Sequence, residues 1–136
     1  AHMSAPTNTH WSRENRTVGL RVPASSAEAR RVENRIPGAD INPYLGVAAS
    51  LVCGYLGMLE KIEPREEYLG EGYLDRERPL PKSLMDSVDN FTRSKGLRDA
   101  LGDSFVDTFA AIKRAEYEHR SSVLSPWDVR FLMTNV

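Results

Sequence analysis

The sequence lacks the features that mark secreted, membrane-spanning and broadly nucleic-acid-binding proteins. Its single cysteine, Cys53, cannot form an intramolecular disulfide, which is typical of a protein in a reducing cytoplasm. The most apolar stretch, residues 44–59, is shorter than the roughly 20 residues that span a bilayer. The net charge is −1, so we expect no general attraction to nucleic acid or to an anionic membrane. The composition therefore predicts a cytoplasmic protein with neither a nucleic acid nor a membrane as its partner.

The 136 residues suffice for one domain with a modest core. The first three, Ala-His-Met, are typical of a cloning remnant. We predict an irregular lead-in over residues 1–14, which are polar and lack periodicity, and one folded segment over residues 15–136. Cys53 lies in an apolar run without a neighbouring base or cation, so we expect a small core residue rather than a reactive thiol.

Two short strands are predicted after the lead-in, over residues 16–22 and 31–36. Side chains alternate between the faces of a strand, so Arg31, Glu33 and Arg35 would line one face of the second strand. This alternation of charge is compatible with a ladder of surface salt bridges. It is equally compatible with a site where Glu33 offers an oxygen ligand to Mg²⁺ or Mn²⁺ and the arginines bind anionic groups. The spacing alone leaves both interpretations open.

The remainder of the sequence is predicted to be mostly helical. Asn42-Pro43 combines an N-cap with proline at the first helical position, and the helix that follows should run to about Ile62. It has almost no polar face, so we expect it to be covered on most sides. After a charged loop at residues 63–80, amphipathic helices are predicted over residues 82–94, 104–120 and 125–134, with a short turn at 97–101. The inward-facing residues of the first two would be Leu84, Val88, Phe91, Phe105, Phe109 and Ile112.

Motifs along the whole chain follow the order found in one enzyme family. They are Asn15-Arg16, Arg21-Val22-Pro23, Arg30 to Asp40, Asn42 to Leu45, Leu80 to Leu84, Leu101-Gly102, Lys113 to Glu116 and Ser125-Pro126-Trp127. Together they closely resemble the C-terminal catalytic region of glutamine synthetases. The resemblance implies an α+β fold in which two short strands of the family's catalytic sheet precede a mostly helical C-terminal half.

The resemblance also implies a reaction and a role for five side chains. The reaction is ATP-dependent ligation of glutamate with ammonia or an amine through γ-glutamyl phosphate, in a homo-oligomer that uses Mg²⁺ or Mn²⁺. By motif position, Glu33 binds the metal, and Arg21 and Arg31 contact the nucleotide phosphates. Arg16 and Arg35 hold the glutamate substrate and the transferring phosphoryl group. Each of these side chains is also compatible with a structural ion pair.

The sequence departs from the family pattern in ways that bear on activity. Glu28 stands where some bacterial members carry a lysine that helps to hold the nucleotide, and the segment from Glu14 to Thr17 is more similar to the γ-glutamylpolyamine-synthetase-like branch. The upstream motifs that supply most of the family's metal ligands are missing, so we expect a fragment that is inactive alone. Two alternatives stay open: a non-catalytic subunit serving assembly or regulation, and an unrelated helical interaction module.

Overall fold

The computed structural model describes residues 5–134, and the chain divides into two compact units, one up to Leu80 and one from Pro81. The predicted cloning remnant at residues 1–3 lies outside the described residues. The α+β prediction is confirmed, because a small sheet in the first unit is followed mainly by helices. Within residues 5–134, none of the helices is long and apolar enough to cross a membrane.

The sheet of the first unit has three short strands in the order β1, β2, β3. They are β1 (Trp11–Arg13), β2 (Leu20–Val22) and β3 (Glu33–Asn34). β1 runs parallel to β2, whereas β2 and β3 are antiparallel. Both predicted strands are thus confirmed in position, but each is shorter than expected.

The segment predicted to be an irregular lead-in contains β1. Besides its pairing with β2, β1 has a distant partner: the Trp11 carbonyl accepts a hydrogen bond from the Tyr68 N–H at 3.1 Å. Just upstream, Asn8 is fully buried, and its Nδ2 donates to the carbonyls of Thr17 and Gly72 at 2.9 and 3.0 Å. Buried amides require such partners, so this part of the chain is ordered by contacts with distant residues.

The apolar helix predicted from Asn42 is confirmed as α1 (Pro43–Leu59). The Asn42 side chain caps it by accepting hydrogen bonds from the N–H groups of Tyr44 and Leu45. α1 ends three residues before the predicted Ile62, and Lys61 follows in the left-handed region at φ 51°. The expectation that α1 is covered on most sides is not met within residues 5–134, because none of its residues is buried.

Cys53 on α1 is exposed, so its predicted place in a core is wrong for this part of the chain. The prediction relied on the apolar neighbours of Cys53 along the helix. A residue is buried only where another element packs closely against it. Within residues 5–80 the Asn34 side chain of β3 donates to Ser50 Oγ of α1 at 3.0 Å, but none of the α1 residues is buried.

The second unit contains three helices, α2 (Leu84–Arg93), α3 (Lys95–Leu101) and α4 (Asp103–Ser121). α2 and α4 match the predicted helices at 82–94 and 104–120, whereas the turn predicted at 97–101 is part of a helix. A π-helical turn over Asp128–Leu132 replaces most of the regular helix predicted at 125–134. Its predicted cap is confirmed: Asp128 Oδ2 accepts from the Ser125 N–H at 2.9 Å and from Ser125 Oγ at 2.7 Å.

The core of the second unit consists of Val88 from α2 with Val106 and Ala110 from α4. Val88 faces inward as the pattern predicts, whereas Leu84, Phe105 and Ile112, for which the pattern predicts the same, are exposed. The buried stripe of α4 is thus displaced by one residue from the predicted stripe, which is about 100° around a helix. The smaller side chains permit closer packing of the two helices, whereas the aromatic stripe lies toward the edge of their contact.

Candidate active-site cluster

Arg21 lies at the centre of a cluster of charged side chains on β2 and β3. The antiparallel register places Arg21 opposite Glu33. Arg21 Nη1 donates to Glu33 Oε2 at 2.8 Å, and Nη2 donates to Glu14 Oε2 at 2.9 Å. The Arg21 side chain is 12% exposed, so water screens these two ion pairs only partly. The hydrogen bonds to Glu33 and then to Glu14 raise the pKa of the Arg21 guanidinium, which stays protonated.

Glu14 approaches Arg21 from an unusual backbone conformation. Its φ of 55° lies in the left-handed region, which residues other than glycine rarely occupy. Glu14 Oε1 accepts a hydrogen bond from the Ala24 N–H, and the Glu14 N–H donates to the Val22 carbonyl at 3.3 Å. The Ala24 amide and then the Arg21 guanidinium hold the pKa of the Glu14 carboxyl below its usual value. The backbone N–H and the side-chain carboxylate of Glu14 are therefore both held by hydrogen bonds.

Arg31 and Glu33 form the outer part of the cluster. Arg31 Nη2 lies 3.6 Å from Glu33 Oε1, and the Arg31 side chain is mostly exposed. Glu33 is 33% exposed, so one side of its carboxylate is accessible to solvent. The predicted grouping of cation and anion on this strand is confirmed for Arg31 and Glu33. We call Glu14, Arg21, Arg31 and Glu33 the arginine–carboxylate cluster.

The donor groups of the cluster fit an anionic ligand and a single metal contact. Arg21 Nε is buried and has no hydrogen-bond partner among residues 5–134, which leaves one N–H donor for an anionic oxygen. The Glu33 carboxylate is a hard oxygen ligand of the kind that Mg²⁺ and Mn²⁺ prefer. Within residues 5–134, however, no group of three or more His, Cys, Asp or Glu side chains is arranged to hold a metal ion. Glu33 could therefore supply only one ligand of a larger set.

The remaining two candidates, Arg16 and Arg35, lie beside the cluster. Arg16 is exposed, and its positive charge makes the smallest contribution to lowering the pKa of Glu14. Its neighbour Thr17 is fixed by Asn15, whose Oδ1 accepts from the Thr17 N–H at 2.9 Å and from Thr17 Oγ1 at 2.8 Å. Arg35 is partly buried one residue beyond β3. Its backbone N–H donates to the Gly19 carbonyl at 2.9 Å, which extends the contact between the two segments.

Sequence reasoning missed a buried contact between a histidine and a carboxylate in the same unit. His10 Nε2 lies 2.8 Å from Asp75 Oδ2, and both side chains are largely buried. The His10 ring also stacks on Tyr68, with 4.1 Å between the ring centroids. We predicted His10 to lie in an irregular segment, and its partner is 65 residues away in the sequence. No local pattern could have revealed the pair.

The charged loop at residues 63–80 packs against the turn that carries Arg16. The Gly72 N–H donates to Thr17 Oγ1 at 2.8 Å, and Asn15 Nδ2 donates to the Gly70 carbonyl at 3.0 Å. A Cβ on Gly72 would lie 2.4 Å from the Thr17 carbonyl oxygen, so this close approach requires glycine. The loop therefore holds the turn around Arg16 in place, in addition to linking two helices along the chain.

The chain is similar to proteins of one enzyme family over nearly its whole length. The family model described as "Glutamine synthetase, catalytic domain" matches residues 1–132. A glutamate–isopropylamine ligase from a Pseudomonas species is 39% identical over 125 residues, which cover 90% of this chain and 27% of that protein. The γ-glutamylputrescine synthetase of Escherichia coli (strain K12) is 33% identical over 134 residues, covering 98% of this chain and 28% of that protein.

Other relatives and a solved structure agree with this result. The type-1 glutamine synthetase 2 of Dictyostelium discoideum is 35% identical over 133 residues, covering 92% of this chain and 25% of that protein. A solved structure described as a GmaS/ADP complex superposes with a TM-score of 0.79 at 30% identity, over 96% of this chain and 30% of the other. The chain thus spans little more than a quarter of the length of the curated relatives it matches.

Proposed function

Because the chain belongs to the glutamine synthetase catalytic-domain family, we propose that it is a segment of an ATP-dependent ligase that joins glutamate to an amine or to ammonia. In the proposed reaction the γ-phosphoryl group of ATP is transferred to the γ-carboxylate of glutamate, which releases ADP. The amine then attacks the activated carbonyl carbon, phosphate leaves, and the nitrogen loses a proton. The observation that carries this proposal is the arrangement of Arg21 and Arg31 around Glu33.

The arginines suit the electrostatic demands of this reaction. Phosphoryl transfer spreads negative charge over several oxygens, and fixed cations lower its barrier without any covalent step. We assign Arg21 and Arg31 to the nucleotide phosphates. Arg21 is held on two sides, and its unpartnered Nε–H would donate a hydrogen bond to a phosphate oxygen. We assign Arg16 and Arg35 to the glutamate substrate and the transferring phosphoryl group.

Glu33 is the proposed ligand to a divalent cation, Mg²⁺ or Mn²⁺. Such a cation neutralises phosphate charge when it is bound. Glu33 supplies one oxygen, and the structure groups no further ligands with it within residues 5–134. The proposal therefore requires ligands from elsewhere in a longer protein, and we expect the 136-residue chain alone not to turn over ATP.

We propose an organic amine, rather than ammonia, as the nucleophile. Two relatives that match 90% or more of this chain are named for isopropylamine and putrescine as the amine partner. The segments from Glu14 to Thr17 and from Asn34 to Gly38 also resemble the γ-glutamylpolyamine-synthetase-like branch. We further propose a homo-oligomer, because the exposed apolar residues of α1 require a cover. We also propose a cytoplasmic location, which the single cysteine favours.

The test is phosphate release by the full-length protein with glutamate, ATP and Mg²⁺, comparing ammonia with isopropylamine, putrescine and ethanolamine. We expect at least one organic amine to give a higher kcat/KM than ammonia. Glu33→Gln should lower kcat/KM by about 100-fold or more, since it removes a charged group from the reacting centre. Glu63→Gln is the matched control, because Glu63 is exposed and lies in the loop outside the cluster.

Two results would contradict the proposal in different ways. Phosphate release that is highest with ammonia would overturn the choice of nucleophile but keep the ligase. A full-length protein that releases no phosphate with any of the four nucleophiles would favour the non-catalytic subunit.

A further inference from the structure

Arg21 is shared between two carboxylates that differ in how firmly they are held. Glu33 contacts Arg21 and Arg31 and is 33% exposed. Glu14 contacts Arg21 through one oxygen and accepts from the Ala24 N–H through the other. The second oxygen of Glu14 is thus held by a backbone N–H, whereas the second oxygen of Glu33 lies 3.6 Å from the exposed side chain of Arg31. Although the Glu14 side chain is 54% exposed, Glu14 is therefore the partner of Arg21 that is anchored to the backbone.

The backbone of Glu14 also has an uncommon conformation. A glutamate at φ 55° is strained, and such residues persist only where the surroundings impose the conformation. Here the Glu14 N–H bonds to the Val22 carbonyl and the side chain reaches back across β2 to Arg21. Glycine would adopt this conformation without strain but would supply no carboxylate. The Glu14 carboxylate therefore makes contacts with Arg21 and Ala24 that glycine could not make at this position.

The two carboxylates would act differently in the proposed function. A Glu33 oxygen that binds a cation donates less electron density to Arg21, so that hydrogen bond weakens. Without a second anchor, the Arg21 guanidinium would be free to follow Glu33 or to move away from the phosphates. Arginine positioning matters because a displacement of about 1 Å can cost about 100-fold in rate.

We propose, on the basis of the function proposed above, that Glu14 is a positioning residue that holds Arg21 toward the nucleotide phosphates while Glu33 serves the cation. Glu14 does not contact the substrate in this scheme and acts only through Arg21. It is separate from the five residues assigned by motif position.

The test measures binding of ADP with Mg²⁺ to the full-length ligase by isothermal titration calorimetry. Arg21→Ala is the benchmark, and Glu63→Gln is the charge-matched control. We expect Glu14→Gln and Glu14→Gly each to weaken ADP binding by about tenfold, the scale of one charge-assisted hydrogen bond. Glu14→Asp, which keeps the charge, should recover part of the affinity. In steady-state assays the same variants should raise the KM for ATP more than they lower kcat.

Glu14→Gly separates positioning from folding. Glycine relieves the left-handed backbone, which offsets part of the loss of the two hydrogen bonds of the Glu14 carboxylate. The melting temperature of Glu14→Gly should therefore stay close to that of Glu14→Gln, even though ADP binding falls in both. If Glu14→Gln and Glu14→Gly both bind ADP within twofold of the original protein while Arg21→Ala binds it more weakly, the proposed role of Glu14 is wrong. The proposed phosphate contact of Arg21 would stand. Unchanged binding in Arg21→Ala would overturn both the proposed phosphate contact of Arg21 and the role of Glu14. If Glu14→Gln does not fold, Glu14→Gly decides.

Discussion

The two units of the chain are stabilised by different kinds of core. In the first unit the polar side chains of Asn8 and Ser12 are buried together with Val18, Pro6 and Pro23, and long-range hydrogen bonds join Asn8 and Ser12 to the segment after α1. Among residues 81–134 of the second unit the buried residues are apolar, namely Val88, Val106 and Ala110, and the ion pairs lie on the surface.

This difference matches the secondary structure of each unit: short strands and irregular segments in the first, and helices in the second. A polar core fixes irregular segments in one geometry because every buried donor and acceptor requires a specific partner. An apolar core is less specific and suits regular helices. The candidate site lies in the first unit, where arginines on short strands and turns must be held without help from long elements.

The largest change in the free energy of unfolding is expected at Asn8, in the first unit. Asn8→Ala leaves the carbonyls of Thr17 and Gly72 without their side-chain donor, and we expect a loss of about 3 kcal/mol in the free energy of unfolding of the first unit. Urea unfolding followed by Trp11 fluorescence, in a Trp127→Phe background, would measure it.

The matched control for Asn8 is Asn90→Ala on the exposed side of α2. We expect this change to alter the unfolding free energy by less than about 0.5 kcal/mol. Equal effects at Asn8 and Asn90 would show that the first unit does not depend on its buried amide.

A smaller effect is expected in the apolar core of the second unit. Val106→Ala removes two buried methyl groups, and we expect a loss of about 2 kcal/mol. Circular dichroism at 222 nm during urea unfolding, together with Trp127 fluorescence in a Trp11→Phe background, would follow it. Val123→Ala is the control, because Val123 is exposed. A loss at Val106 no larger than at Val123 would contradict an apolar core at this position.

The smallest effect is a difference in acid sensitivity. The Arg13 N–H and then the Ser12 hydroxyl hold the pKa of Glu67 below its usual value, and the pKa of Glu14 is lowered by Ala24 and Arg21. A carboxyl with a lowered folded-state pKa stabilises the fold above its unfolded-state value near 4.5, and that stabilisation disappears as the pH falls through the folded-state value.

We therefore expect the free energy of unfolding reported by Trp11 fluorescence to fall more steeply between pH 5 and 3 than the one reported by Trp127 fluorescence. In the second unit, Asp128 is the carboxyl whose pKa is held low, by Ser125. Glu67→Gln should flatten the pH dependence of the Trp11 signal, and Glu66→Gln, an exposed neighbour, should leave it unchanged. If the unfolding free energies reported by Trp11 and Trp127 fall in parallel as the pH is lowered, the predicted difference in acid sensitivity between the two units is wrong.

Local patterns predicted much of the fold. The caps at Asn42 and Ser125, the positions of α2 and α4, and the opposition of cation and anion at Arg31 and Glu33 all depend on residues within a few positions of each other. Motif order along the chain also identified the family. These features can be predicted because capping and alternation act over one helical turn or one strand.

What the sequence by itself determined is therefore the order of elements, their caps and the identity of the charged residues. Only the tertiary structure decided that Asn8 and His10 bond to residues 64 and 65 positions away, and that Arg21 is anchored by Glu14 as well as Glu33. The physical reason is range. Local propensity acts within a strand or a helical turn, whereas a buried polar contact exists only after distant segments have packed together.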